Sequence, residues 1–102
     1  MKVFLDDERA APEGWTPVRW PEEAIALLET GEVDAISLDH DLGDDVTYGT
    51  GYDVLTWVEE QVALNGFEPP AIRIHSANVV GRARMEQAIA SIERLRHRSP
   101  SP

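Results

Sequence analysis

Residues 35–41 read AISLDHD, a short apolar run that stops abruptly in two acids and a histidine. The same pattern, four mostly apolar residues followed by polar ones, recurs at residues 2–7 (KVFLDD) and 71–76 (AIRIHS). A weaker strand is predicted at residues 17–20 (PVRW), at the edge of the sheet, because proline cannot donate the hydrogen bond that a central strand needs. Runs of this kind that alternate with helical patterns are typical of a parallel α/β sheet.

Three helical patterns lie between and after the strands. The first begins at Pro21, which suits the first turn of a helix, and ends before Gly31. The second begins near Thr50 and ends at Asn65. The third has apolar residues at three- and four-residue spacing, and these are Met85, Ala88, Ile89, Ile92 and Leu95. We therefore predict a three-layer α/β sandwich with a parallel sheet of about four strands in the order 2-1-3-4.

The length of 102 residues predicts one domain, over residues 1–97, followed by a flexible C-terminal tail at 98–102. The chain has no cysteine, which excludes a disulfide scaffold, a thiolate metal site and a cysteine nucleophile. No apolar run approaches the length of a membrane span. We therefore expect a cytoplasmic protein without a membrane partner.

Charge is divided unevenly along the chain. The net charge is −10, and residues 1–68 hold seventeen acids and three bases, whereas residues 69–102 hold two acids and six arginines. A mostly acidic surface repels phosphates, so general attraction to nucleic acid is disfavoured and no DNA partner is expected. A phosphate-bearing substrate must therefore be bound by a local feature, either a metal or the arginines of the C-terminal third. The basic helix from Arg82 to Arg98 is also a candidate surface for a protein partner.

Acidic side chains follow two strands that the predicted order makes neighbours. Ligands of open parallel sheets bind outside the carboxyl ends of the strands, and Asp6, Asp7 and Asp39 fall at that edge. Three carboxylates there form an oxygen-ligand set for Mg²⁺ or Mn²⁺, with water and substrate phosphate completing the shell. Because crowded carboxylates repel one another, at least one is expected to have a raised pKa without a cation. The alternative is that each acid only caps the loop after its strand through backbone N–H groups.

Two histidines are predicted at the same edge. His40 lies between Asp39 and Asp41, whose carboxylates can orient a ring nitrogen and stabilise the imidazolium form. His75 follows the next strand and precedes the hydroxyl of Ser76. A pair of histidines suits acid–base chemistry at neutral pH, with one removing a proton while the other supplies one. The alternative for His75 is a strand-end histidine that is bonded to the backbone.

Several of these stretches resemble the receiver domains of response regulators. Residues 4–8 (FLDDE) resemble the acidic strand end of receivers, and Asp39 matches their phosphoacceptor aspartate. Residues 51–55 (GYDVL) resemble the entry to the next receiver helix, and Ser76 matches the hydroxyl residue after the fourth strand. The resemblance covers residues 2–95 approximately and implies a shortened receiver/flavodoxin-like fold.

Other features depart from the receiver pattern. Receivers carry a lysine on a fifth strand, whereas the single lysine here, Lys2, opens the first strand, and no fifth strand is expected after Leu95. Histidines at positions 40 and 75 are not receiver features. A closer resemblance rests on four stretches, which are residues 5–9 (LDDER), 37–43 (SLDHDLG), 51–53 (GYD) and 75–78 (HSAN). Together they are similar to the cyclic-phosphate-processing receiver-like family.

This resemblance implies a metal-assisted phosphoesterase that acts on 2′,3′-cyclic phosphate ends of RNA or of nucleotides. It implies three sets of site residues. The metal ligands are Asp6, Asp7 and Asp39. The catalytic residues are His40, His75 and Asp41, with the histidines as general acid and base and Asp41 orienting one of them. The residues that contact the phosphate are Arg9, Ser76 and Asn78. The alternative is a stand-alone atypical receiver domain, either phosphorylated on Asp39 or non-catalytic, that binds a partner protein.

Overall fold

Four strands and three helices form the described part of the chain in the computed structural model, which describes residues 1–39, 50–76 and 78–97. In chain order the elements are β1 (Lys2–Leu5), β2 (Thr16–Val18), α1 (Pro21–Leu28), β3 (Ala35–Leu38), α2 (Gly51–Asn65), β4 (Ala71–Ile74) and α3 (Val79–His97). The tail predicted at residues 98–102 lies outside the described residues.

The strands pair in the order β2-β1-β3-β4, and every pair is parallel, which confirms the predicted sheet. Leu5 pairs with Leu38, and Leu38 pairs with Ile74, so β1, β3 and β4 end level with one another. The pairing continues one residue further, because the N–H of Asp39 donates to the carbonyl of Leu5 and the N–H of His75 to the carbonyl of Leu38. The polar residues after these strands therefore leave the sheet together at its carboxyl edge.

All three helices pack on one face of the sheet. Side chains alternate between the two faces of a strand, and Val3, Leu5, Ile36 and Leu38 share one face and are completely buried. One continuous core joins them to side chains of every helix, namely Ala24, Leu28, Val54, Leu55, Val58, Val62, Met85, Ala88 and Ile92. The connections β2–α1–β3 and β3–α2–β4 run in the same direction across the sheet, so right-handed crossovers place both helices on the same side.

Part of the other face of the sheet is covered by a loop. Phe4 and Ser37 are register partners on this face, and neither belongs to the helix-covered core. The connection from β1 to β2 crosses this face, and its Trp15 packs edge-on against Phe4 with the ring centroids 6.5 Å apart. The connection is not helical, because Pro12 and Gly14, whose φ is +86°, interrupt it. On this side the predicted outer layer of the sandwich is therefore a loop with an aromatic anchor.

The second strand is displaced from its predicted position. β2 is Thr16–Val18, so Arg19 and Trp20 lie beyond it. One carboxylate oxygen of Glu23 accepts hydrogen bonds from the backbone N–H groups of both residues, at 3.1 Å each. Neither N–H is then available to the sheet, and Trp20 becomes the N-cap of α1, with Pro21 in the first turn as predicted.

The predicted start of α2 near Thr50 is confirmed, whereas α3 begins at Val79, three residues before the predicted Arg82. The Thr50 hydroxyl accepts from the N–H of Tyr52 at 3.1 Å, and the Asp53 carboxylate accepts from the N–H of Thr50 at 2.8 Å, which is the predicted capping box of α2. In α3 the Asn78 side-chain oxygen accepts from the N–H of Gly81 at 2.8 Å. Among the described helices, none combines the length and the apolar composition that a membrane span requires.

Candidate functional site

Asp6 is the most strongly held acid at the carboxyl edge of the sheet. Its side chain is only 1% exposed, and its Oδ1 atom accepts the backbone N–H groups of Glu8 and Arg9, at 2.8 Å each. Its Oδ2 atom lies 3.1 Å from Nε2 of His75. Asp6 thus caps the turn that follows β1 with one oxygen, while the other oxygen faces His75 at the end of β4, two positions away in the sheet.

The pKa of Asp6 is lowered below its ordinary value of 3.8. Burial is the largest single influence and acts to raise this pKa, but the N–H groups of Arg9 and Glu8, together with His75, outweigh it. Asp6 is therefore not a carboxylate whose pKa is raised by the repulsion expected at this edge. The reason is that hydrogen-bond donors surround its carboxylate, which stays ionised.

His75 bridges Asp6 and a buried hydroxyl. Its Nδ1 atom lies 2.7 Å from the Oγ atom of Ser37, so both ring nitrogens have a partner. The ring stacks on Phe4 with the centroids 4.2 Å apart and the planes within 5°. Arg9 donates from Nη1 to the His75 carbonyl at 2.9 Å. Three elements, β1, β3 and β4, therefore fix the position of this imidazole.

The pKa of His75 is lowered from its ordinary value of 6.5, first of all because the ring is buried. The carboxylates of Asp6 and Asp39 act in the opposite direction without overcoming burial, and Arg9 lowers the pKa further. The imidazole is therefore neutral at pH 7 and carries one N–H. Because the ionised Asp6 can only accept, that proton lies on Nε2, and the Ser37 hydroxyl donates to Nδ1.

Asp39 joins this pair at the end of β3. Asp6, Asp39 and His75 each offer a ligand atom, and these atoms all lie within 4.8 Å of one another. Of the predicted metal ligands, Asp6 and Asp39 are thus brought together, whereas Asp7 is not part of this group among the described residues. Two converging carboxylates with a neutral histidine beside them fit a hard divalent cation, which proteins commonly bind through one or two carboxylates plus substrate phosphate.

Gly51 allows the start of α2 to lie directly against Asp39. A Cβ atom at this position would collide with the Asp39 carbonyl oxygen and would lie 3.1 Å from the Cε atom of Met85. Gly51 is buried, and no residue with a side chain fits there without moving the backbone. The glycine of the GYD stretch therefore brings the N-terminus of α2 to the carboxyl edge.

The residues predicted to contact phosphate build the turn and the loop around the site. Ser76 is buried, and its hydroxyl accepts the N–H of Asn78 at 3.1 Å. The Arg9 side chain is 56% exposed, and its Nε atom lies 3.9 Å from Oδ2 of Asp6. All three residues lie at the predicted edge, while their contact with a substrate stays a prediction. His40 and Asp41, predicted to be catalytic, lie outside the described residues.

Sequence reasoning missed two residues that position His75. Phe4 and Ser37 were assigned to the strands alone, yet one stacks on the imidazole and the other binds its Nδ1 atom. The signal that finds them is the two-residue alternation of parallel strands. With Phe4 paired to Ser37 and Ser37 to Arg73, the next residues on the same face are Asp6, Asp39 and His75.

A parallel sheet in the order 2-1-3-4, with acids after the first and third strands and a serine near the end of the fourth, defines a shortened receiver-like α/β domain. Residues 1–91 match the model of one family within this class, the cyclic-phosphate processing receiver domain (cREC_REC). The chain belongs to that family, as the sequence motifs predicted. Comparisons with curated proteins and with solved structures give no significant match.

Proposed function

We propose that this domain hydrolyses terminal 2′,3′-cyclic phosphates of RNA or of nucleotides at the carboxyl edge of its sheet. One observation carries the proposal: ligand atoms of Asp6, Asp39 and His75 converge within 4.8 Å in a chain of the cyclic-phosphate processing family. The convergence goes beyond loop capping, because Asp6 uses only one of its oxygens for the turn. The other oxygen, Oδ2, faces the group that Asp6 forms with Asp39 and His75.

Asp6 and Asp39 are the proposed ligands of Mg²⁺ or Mn²⁺. A divalent cation bound there would polarise a phosphoryl oxygen and offset its negative charge. Asp6 suits this role because the N–H groups of Glu8 and Arg9 keep it ionised and fixed. Asp7, the third predicted ligand, has no role in this proposal.

His75 is proposed to orient Asp6 rather than to transfer protons. Both of its nitrogens have partners, and its pKa is lowered by burial, so it has neither a free nitrogen nor a charge to offer a phosphate. Its N–H fixes Oδ2 of Asp6, in the way that outer partners commonly fix ligand carboxylates. This assignment revises the acid–base role that the sequence suggested for His75.

Proton transfer is then proposed for His40. Hydrolysis removes one proton from the attacking water and delivers one to the ribose oxygen whose bond to phosphorus breaks. His40 lies next to Asp39 in sequence, and a histidine can do both at neutral pH. The half-exposed guanidinium of Arg9 is the proposed contact for the phosphate oxygens.

The experiment follows a nucleoside 2′,3′-cyclic phosphate by phosphorus NMR with Mg²⁺ or Mn²⁺ present. The parent should convert it to a monoester, Asp39→Asn should lose roughly a hundredfold or more of kcat/KM, and Asp7→Asn should stay within a few-fold of the parent. Absence of turnover by the parent with either metal would overturn the proposal.

The second candidate function is an atypical receiver phosphorylated on Asp39. The position of Asp39 directly after β3 favours it, because receivers carry their phosphoacceptor there. Lys2, the single lysine, lies at the opposite end of β1, with its Nζ atom 5.7 Å from the ring centroid of Trp15. It is therefore far from where receivers place the lysine that contacts the phosphoryl group. This candidate function requires an acyl phosphate on Asp39, whereas the proposed hydrolase does not require one.

A further inference from the structure

We infer that Tyr52, Arg84 and Val80 form the surface that binds the base of a nucleoside cyclic phosphate. The inference rests on the proposed function, and it adds recognition of the nucleoside to hydrolysis of the phosphate. None of these three residues has a part in the hydrolytic site described above.

Arg84 and Tyr52 join α3 to α2 at this surface. The guanidinium carbon of Arg84 lies 5.0 Å from the centroid of the Tyr52 ring, which is within the range of a cation–π contact. Arg84 is exposed and Tyr52 is half-buried. Among the described residues, Arg84 has this ring contact and no ion pair, whereas Arg82 two residues earlier pairs with Glu86 at 3.1 Å.

The pair lies next to the carboxyl edge. Tyr52 directly follows Gly51, whose Cα faces the Asp39 carbonyl oxygen, and consecutive Cα atoms are about 3.8 Å apart. Met85, which directly follows Arg84, also borders Gly51. The residue that carries the ring is therefore next in sequence to Gly51, which lies against Asp39, and the residue that carries the guanidinium is next to Met85, which lies against Gly51.

An exposed apolar group extends the same surface. Val79 and Val80 open α3 and are 81% and 71% exposed, although both are β-branched apolar residues. Val80 lies four residues before Arg84, so the two side chains share one side of the helix. Ser76 and Asn78 lie between the end of β4 and this helix start.

A nucleobase fits this combination better than a phosphate alone does. Bases bind proteins by stacking on aromatic rings and on arginine planes, with apolar contacts around them. The positive charge of Arg84 also suits an anionic nucleotide, in a chain whose net charge is −10. The scissile phosphate would lie at Asp39 while the base rests on the ring and the guanidinium.

The test compares two substrates, adenosine 2′,3′-cyclic phosphate and 1-O-methylribose 2′,3′-cyclic phosphate, which lacks a base. The parent should prefer the adenosine compound in kcat/KM by roughly 5- to 150-fold, the range that stacking of one base supplies. Arg84→Met and Val80→Ser should reduce this preference and leave hydrolysis of the base-free compound unchanged. Tyr52→Phe should keep the preference because the ring remains. Arg94→Met removes an exposed arginine further along α3 and is the matched control.

A binding measurement decides the inference independently of turnover. Calorimetric titration should show that the parent binds adenosine 3′-monophosphate more tightly than inorganic phosphate, and that Arg84→Met loses this difference. If the parent hydrolyses neither compound but this pattern holds, the proposed function fails and the base-binding surface stands. If Arg84→Met keeps the parent's preference in both assays, or if the parent has none, the inference is overturned even where hydrolysis is confirmed.

Discussion

The Nε2 atom of His75 lies 3.1 Å from the Oδ2 atom of Asp6, on the strand end two positions away in the sheet. The contact joins a histidine that burial keeps neutral to an aspartate that hydrogen bonds keep ionised. It determines which nitrogen of the imidazole carries the proton, and it holds Oδ2 of Asp6, the oxygen that does not cap the turn after β1. The geometry of the proposed centre therefore depends on this one pair.

The buried histidine should make stability depend on pH. Because the folded pKa of His75 lies below its ordinary value of 6.5, the unfolded chain takes up a proton first as the pH falls. Stability from this group is complete above about pH 6.5 and decreases as the pH falls towards the folded pKa. In urea titrations between pH 8 and 5, His75→Gln should lose stability less steeply with falling pH than the parent. His97→Gln, which removes an exposed histidine, should keep the parent's slope; equal slopes in all three proteins would contradict the prediction.

Removing the hydroxyl that binds His75 should destabilise the domain. Ser37 is 7% exposed and lies 2.7 Å from Nδ1, so Ser37→Ala leaves a buried acceptor without its donor. Such a loss typically costs about 1–3 kcal/mol. Urea unfolding measures it, and Ser91→Ala, which deletes the same atom from a half-exposed position on α3, is the control. If the two variants are equally stable, the hydrogen bond to His75 contributes nothing.

Divalent cations should stabilise the folded chain, because the converging carboxylates exist only in the native state. At a free-ion concentration about 100 times Kd the gain would be about 2.7 kcal/mol. Thermal unfolding with and without Mn²⁺ or Mg²⁺ should show a raised Tm for the parent and for Asp7→Asn, but not for Asp39→Asn. A shift that Asp39→Asn retains would mean that the ion binds elsewhere.

Gly51→Ala should destabilise the domain by about 1–3 kcal/mol, the usual cost of overpacking a filled site. The added methyl group would meet the Asp39 carbonyl oxygen and the Met85 side chain. Intrinsic helix propensity favours alanine over glycine by up to about 1 kcal/mol, so the predicted change is opposite in sign to the propensity effect. A variant as stable as the parent in urea would show that α2 is not held against Asp39.

Much of the fold was predictable because three of the four strands stop in polar residues. The runs ending at Asp6, Asp39 and His75 indicated parallel strands with a common carboxyl edge, and the sheet order followed from one familiar topology. The loop layer over Phe4 was not predictable from periodicity, because Trp15 packs there from a segment with neither helical nor strand pattern.

The sequence predicted the two acids of the candidate site, Asp6 and Asp39, but it did not predict the contacts that position His75. Sequence proximity made Asp6 and Asp7 equal candidates, yet the alternation of β1 continues to Asp6 on the face of Ser37, whereas Asp7 lies in the bend that follows and is not part of the group. The partners of His75 depend on register between strands that are far apart in sequence, and no local pattern reveals that register. The role proposed for His75 therefore differs from the one that the sequence suggested, because of its bonds to Asp6 and Ser37.

Asp39 is proposed to serve a hydrolytic centre and not to be a phosphoacceptor. The direct measurement incubates one sample of the parent, with Mg²⁺ or Mn²⁺, with a nucleoside 2′,3′-cyclic phosphate and a second sample with acetyl phosphate. Phosphorus NMR follows turnover, and intact-protein mass follows modification of Asp39. Many turnovers of the cyclic phosphate are expected, lost in Asp39→Asn and reduced about 10²–10⁴-fold in His40→Ala, with no lasting addition to the protein mass. Stoichiometric phosphorylation of Asp39 by acetyl phosphate, together with no turnover of the cyclic phosphate, would contradict the proposal.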